Sequence, residues 1–171
     1  MEYSFFKQNI FYSFLDCNYD FGLQPISVGY ERCNEQKARI GPRAKMHYVL
    51  HFVLDGTGYY QIDGQTYTVG KNTLFVIPPG AVTTYFPNTS DPWQYLWVEF
   101  GGYCSKQLMQ DAFAHGKVVY TPADPAAIKE EFAAMADNFF RVPPPRICSC
   151  HNRPHTEYLQ PFNRRTLSTQ T

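Results

Sequence analysis

The chain lacks a surplus of either charge: 15 Lys and Arg balance 15 Asp and Glu over 171 residues, with a sequence pI near 6.9. A free-standing nucleic-acid binder carries a basic stripe, so composition argues against that class. No stretch is long and apolar enough to span a membrane. The opening MEYSFFKQNIFYSF lacks the basic start and long apolar core of a secretory leader. The 5 cysteines, Cys17, Cys33, Cys104, Cys148 and Cys150, are odd in number and irregular in spacing, which does not suit a disulfide framework. These absences together predict a reduced, cytoplasmic setting with no membrane partner.

What the chain does have is apolar and aromatic side chains, at 44% and 17% of residues. That is enough for one domain with a proper core, and it favours strands. Up to Gly102 the chain is a series of short apolar runs: ISVGYERC, MHYVLHFVL, GYYQI, QTYTV, TLFVIPPG and QYLWVEF. Asp55-Gly56 and Asp63-Gly64 separate three of these runs and read as hairpin signals, because glycine supplies the positive φ of tight turns. Strands at such short spacing predict an antiparallel barrel or sandwich.

After Gly102 the pattern turns helical. SKQLMQDAFAHG reads as a first helix ending at Gly116, and DPAAIKEEFAAMADNFF as a second with Asp124 as N-cap and Pro125 in its first turn. Ile128, Phe132, Met135 and Phe139 form an apolar seam on that helix, suited either to its own barrel or to a homodimer contact. From Arg141 to Thr171 the chain is rich in proline and arginine and has no period, which predicts an unpacked tail. Cys148, Cys150, His151 and His155 are zinc-ligand types, but Cys-x-Cys is tighter than finger spacing and no second pair follows. The expected organisation is residues 1–102 as barrel and arm, 103–140 as the helical segment and 141–171 as tail.

Alternation assigns the faces of two strands. In HYVLHFVL, His47, Val49, His51 and Val53 point one way, with Arg43 and Lys45 before them, and Tyr48, Leu50, Phe52 and Leu54 point the other. In QYLWVEF, Tyr95, Trp97 and Glu99 oppose Gln94, Leu96, Val98 and Phe100. Unpaired charge in a dry barrel is costly, so Arg43, Lys45 and the histidines imply an interior open to water or shaped for a polar guest.

GYERC, the run HYVLHFVLDGTGYY through VIPPG, and DPWQYLWVEFGG closely resemble the sensor domain of AraC-type transcription regulators, a branch of the cupin superfamily, over about residues 20 to 140. The resemblance implies a mainly β, cupin-like antiparallel barrel (a double-stranded β-helix) followed by helices that mediate dimerisation. It implies a small-molecule effector, often a sugar, and DNA reading by a separate helix-turn-helix region; nothing after Phe140 matches such a region, so DNA binding is carried over to no residue here. It places Gln24, Tyr85, Tyr95 and Trp97 at ligand-contacting positions. Arg43, His47, His51 and Glu99 complete the expected ligand set by sharing the inner face.

Metal-binding cupins carry His-x-His and a glutamate before the first glycine turn and a histidine after the proline turn. Those positions fall on Arg43, Lys45, Val49 and Thr83, so neither a metal nor another cofactor is expected. An enzyme reading, a metal-free sugar epimerase or isomerase pairing His51 with Tyr60, Tyr85 or Tyr95, needs an acid to orient the imidazole, and none stands near it in sequence. A third reading is a structural dimerisation module with a filled barrel. The expectation taken forward is a non-enzymatic sugar sensor.

Overall fold

The computed structural model describes residues 4–7, 9–14, 22–113 and 116–141, and the side chain of Phe139 and all of 142–171 lie outside the described residues. A six-stranded sheet in the order β1-β2-β9-β4-β7-β10 faces a four-stranded sheet in the order β3-β8-β5-β6. The first is built from β1 (Ile10–Phe14), β2 (Gln24–Arg32), β4 (Tyr48–Asp55), β7 (Leu74–Ile77), β9 (Gln94–Gly101) and β10 (Val119–Tyr120). The second is built from β3 (Ile40–Ala44), β5 (Thr57–Ile62), β6 (Gln65–Gly70) and β8 (Val82–Pro87). Every ladder is antiparallel. The sheets do not close on one another as a closed barrel would; the arrangement is a two-sheet, jelly-roll-like sandwich.

The two Asp-Gly pairs do different work. Ile62 pairs with Gln65 across Asp63 (φ 51°) and Gly64 (φ 75°), the doubly positive two-residue turn of a hairpin. Asp55-Gly56 is not a hairpin: β4 ends in one sheet and β5 begins in the other. Gly56 (φ 72°) turns this corner so close to the chain that a Cβ there would lie 2.5 Å from the Pro92 carbonyl oxygen.

Two cores follow from the strand faces. Between the sheets lie Val49, Val53, Tyr60, Ile62, Phe75, Ile77, Tyr85, Trp93 and Tyr95. On the outer face of the larger sheet, Val28, Tyr30, Phe52, Leu96, Val98 and Phe100 are covered by α1 (Ser105–Ala112) and α2 (Pro125–Arg141), through Met109, Phe132, Ala133 and Ala136. Burial of each large apolar side chain in these cores contributes about 1.5–3 kcal/mol.

The second helix starts where its cap chemistry says it should. Asp124 Oδ1 accepts from Ala126 N–H at 3.1 Å and Ala127 N–H at 3.0 Å. Its seam turns inward: Phe132 is 5% exposed, with its ring 6.1 Å from that of Phe52, and Ile128 and Met135 pack on the same core. Packing on its own chain is therefore the arrangement seen for these three side chains, because the bare outer face of the sheet offers the nearest apolar surface to bury.

Candidate functional site

Directly opposed residues of an antiparallel ladder share a face, so register alone lays out the faces that the two sheets turn towards each other. The first row carries Gln24 opposite Gly101. Below it run Ser27, Glu99, Val49 and Ile77, then Gly29, Trp97, His51 and Phe75, then Glu31, Tyr95 and Val53. The facing sheet contributes Ile40, Tyr85, Tyr60 and Tyr67 in one row and Arg43, Thr83 and Ile62 in the next.

The upper rows are charged and paired. Glu99 Oε2 accepts from Lys45 Nζ at 3.1 Å and from Ser27 Oγ at 3.4 Å, while Glu99 Oε1 faces His47 Nδ1 at 3.4 Å. The Glu99 and Lys45 side chains are 13% and 28% exposed, which weakens solvent screening of the pair. Gly101 makes room for His47: a Cβ there would sit 3.0 Å from the imidazole Cδ2.

The floor is aromatic. His51, 2% exposed, lies flat on Phe75 with ring centroids 4.3 Å apart and planes 4° from parallel, and meets Tyr85 at 5.1 Å and Tyr95 at 5.3 Å. Its Nδ1 has no hydrogen-bond partner among the described residues. Burial, with Lys45 and Arg43 adding to it, holds the imidazole pKa down at about 3, so the ring is neutral at physiological pH. Tyr95 donates to Glu31 Oε2 at 2.7 Å, and Lys37 pairs with the other oxygen of the same carboxylate. Tyr60 donates to the Val76 carbonyl at 2.8 Å. Burial pushes the Tyr85 phenol up to about 12 and holds Tyr95 well above its ordinary value, so both remain protonated. It likewise raises the Cys33 thiol to about 12, leaving that cysteine without thiolate character.

Between floor and rim stands Trp97, half-buried, 6.0 Å from Tyr95 by ring centroid and flanked in register by Gly29 and His51. Of the residues expected from sequence, His47 and Glu99 meet at the rim, and His51, Tyr85 and Tyr95 meet on the floor. Gln24 sits at the start of β2 beside the rim, and Arg43 is exposed on the opposite sheet, close to the Tyr85 phenol. Ser27 and Glu31 belong to the same wall, and Lys37 reaches Glu31 from the loop after β2, but none of the three was among the expected site residues. For Ser27 and Glu31 the signal was the alternation in ISVGYER, which sets Ser27, Gly29 and Glu31 against Val28 and Tyr30; Lys37 lies beyond that run and had no such signal.

The metal-ligand positions of cupins hold an exposed guanidinium, an ammonium paired to Glu99, a valine and a threonine, a set unsuited to a cation. Among the described residues no cluster of three or more His, Cys, Asp or Glu is arranged for one. A separate groove of about 420 Å3 beside α1, lined by Tyr48, Met109, Phe113 and Lys117, has no buried orphaned polar atom among the described residues and is the weaker candidate. No helix among the described residues is long and apolar enough to cross a membrane.

Residues 24–161 match the AraC-like ligand binding domain. The chain is 29% identical over 101 residues to the Msm operon regulatory protein of Streptococcus mutans, covering 59% of this chain and 36% of that protein. It is 31% identical over 105 residues to the lactose operon transcription activator of Staphylococcus xylosus, covering 61% and 32%, and 27% identical over 84 residues to the raffinose operon transcriptional regulatory protein of Pediococcus pentosaceus, covering 48% and 30%. The match thus spans about a third of each relative's length. A cupin-like protein of Thermotoga maritima aligns with a TM-score of 0.40 at 17% identity, covering 74% of this chain and 82% of that one. The chain belongs to the AraC-like ligand binding domain family.

Proposed function

We propose that the cleft between the two sheets binds a sugar or glycoside, and that the domain is the effector sensor of a transcription regulator rather than an enzyme. The observation that carries this is the setting of Trp97, a half-buried indole between a residue with no side chain, Gly29, and His51, whose buried Nδ1 has no partner among the described residues. A flat apolar face suits the axial C–H groups of a pyranose, while imidazole, carboxylate and ammonium groups nearby suit its hydroxyls. The names of the lactose and raffinose operon relatives support the same reading. Transmission to a DNA-binding region, self-association and a cytoplasmic location belong to this proposal and rest on the relatives being regulators.

A screen of mono- and disaccharides by thermal shift tests it. A ligand present at a hundred times its Kd and binding only the folded state adds about 2.7 kcal/mol. A panel in which no sugar raises the melting temperature contradicts the proposal.

A second reading, a sugar epimerase or isomerase, is favoured by one observation: the His47–Glu99 contact supplies a carboxylate beside an imidazole. The pairing that reading requires, His51 with a tyrosine, is poorly matched, since a base with a pKa of about 3 facing phenols held above their ordinary range transfers protons inefficiently near pH 7. Turnover of a bound sugar, followed by solvent deuterium incorporation, would establish the enzyme reading instead.

A further inference from the structure

The charges of the cleft can be paired off. Glu31 is taken by Lys37, and Glu99 by Lys45 with His47 on its other oxygen. Arg43 alone among the cleft's lysines and arginines has no carboxylate partner among the described residues. Its register partner Thr83 is 2% exposed and shares a row with the core residue Ile62, so Arg43 lies on the inner side of β3 and not on the outer surface. Its guanidinium lies near the Tyr85 phenol, across the cleft from the Trp97 row, and close enough to His51 to act on that ring. The cleft therefore has one spare positive charge, on a fork of donors shaped for an oxyanion, at the rim above the aromatic floor.

We propose that the ligand is an acidic sugar, a ring carrying one carboxylate or phosphate, with the ring on Trp97 and its oxyanion held by Arg43. This rests on the reading of the cleft as a sugar site and narrows it. A neutral sugar would leave Arg43 solvated and add nothing to the pairing already made by Glu31 and Glu99. A carboxylate brings the cleft to charge balance, a phosphate ester carries it to a small negative excess, and in either case the spare positive charge speeds capture.

Titration calorimetry of the full chain with galactose, galacturonate and galactose 6-phosphate, and with the three gluco counterparts, at low salt, tests the proposal. The expected result is that an acidic member of one series binds at least ten-fold tighter than its neutral parent. Arg43→Gln should cut the acidic member's affinity by a larger factor than the neutral parent's, removing that advantage, and Arg43→Lys should restore part of it. Galacturonate or glucuronate binding identifies a carboxylate as the group, and 6-phosphate binding a phosphate ester. Neutral and acidic members binding alike, or Arg43→Gln weakening both equally, overturns the acidic-sugar inference and leaves the sugar site standing. If none of the six binds, while neutral disaccharides do, the inference falls alone; if no sugar of any kind binds, the sugar reading falls with it.

Discussion

His51 lies flat on Phe75, ring centroids 4.3 Å apart and planes 4° from parallel, in the middle of an aromatic floor, yet its buried Nδ1 has no hydrogen-bond partner among the described residues. An orphaned buried polar atom costs about 1–3 kcal/mol, a cost that a ligand hydroxyl would relieve. His51→Phe keeps the ring and removes the orphan. The variant should match or exceed the parent in stability, within about 1 kcal/mol, while losing about 1–3 kcal/mol of affinity for any sugar that His51 contacts. Denaturant melts and titration of the same two proteins check both halves.

The same imidazole makes stability depend on pH. Its pKa lies at about 3 in the folded protein and near the ordinary 6.5 in the unfolded chain. Above the unfolded value both states are neutral and the contribution is complete. As pH falls below it the unfolded chain takes up a proton that the folded one refuses, and stability drops by up to about 1.4 kcal/mol per pH unit towards pH 3. Urea midpoints measured from pH 7 to pH 4 should fall more steeply for the parent than for His51→Phe. Equal slopes would show that the ring is already accessible to solvent protons.

Lys45 and Glu99 lie 3.1 Å apart in a partly buried setting, and each satisfies the other's charge. Lys45→Met or Glu99→Gln alone leaves an uncompensated group, whereas the double variant removes both. A double-mutant cycle in stability should give a coupling energy of about 0.5–3 kcal/mol. A value indistinguishable from zero would mean the contact is made and broken freely at the rim.

Phe132 is 5% exposed against the outer face of the larger sheet. Phe132→Ala should cost about 3–5 kcal/mol through the cavity it leaves. Phe132→Glu should fail to fold stably, since it buries a charge with no partner. Circular dichroism melts test this. A Phe132→Glu protein that melts like the parent but changes its sedimentation would return the residue to a dimer interface.

Much of this was legible from local pattern. Alternation assigned the faces of β4 and β9, so Trp97 and Glu99 were read inward and Leu96 and Val98 outward, as they stand. The N-cap at Asp124 and the turn at Asp63-Gly64 were legible for the same reason, because each is decided by a few adjacent residues. What escaped was non-local. Glu31 is a buried carboxylate only because Tyr95, 64 residues away, and Lys37 satisfy it. Gly56 turns between sheets instead of within one because β4 pairs with β7 and β9, partners that no local period encodes. β3 (IGPRA) and β8 (VTTYFP) mix proline, glycine and threonine and show no clear apolar alternation, so neither announced itself as a strand.

Whether the sugar ring rests on Trp97 is decided by titration calorimetry of Trp97→Ala beside Leu96→Ala, using a sugar that stabilises the parent. Trp97→Ala should weaken binding by about 1–3 kcal/mol with the fold intact, because it removes the apolar platform. Leu96 is fully buried on the helix side of the same strand. Its loss should cost about 2–5 kcal/mol of stability and leave the affinity of the folded protein unchanged. Undiminished binding by a well-folded Trp97→Ala protein would show that the ring does not rest on Trp97.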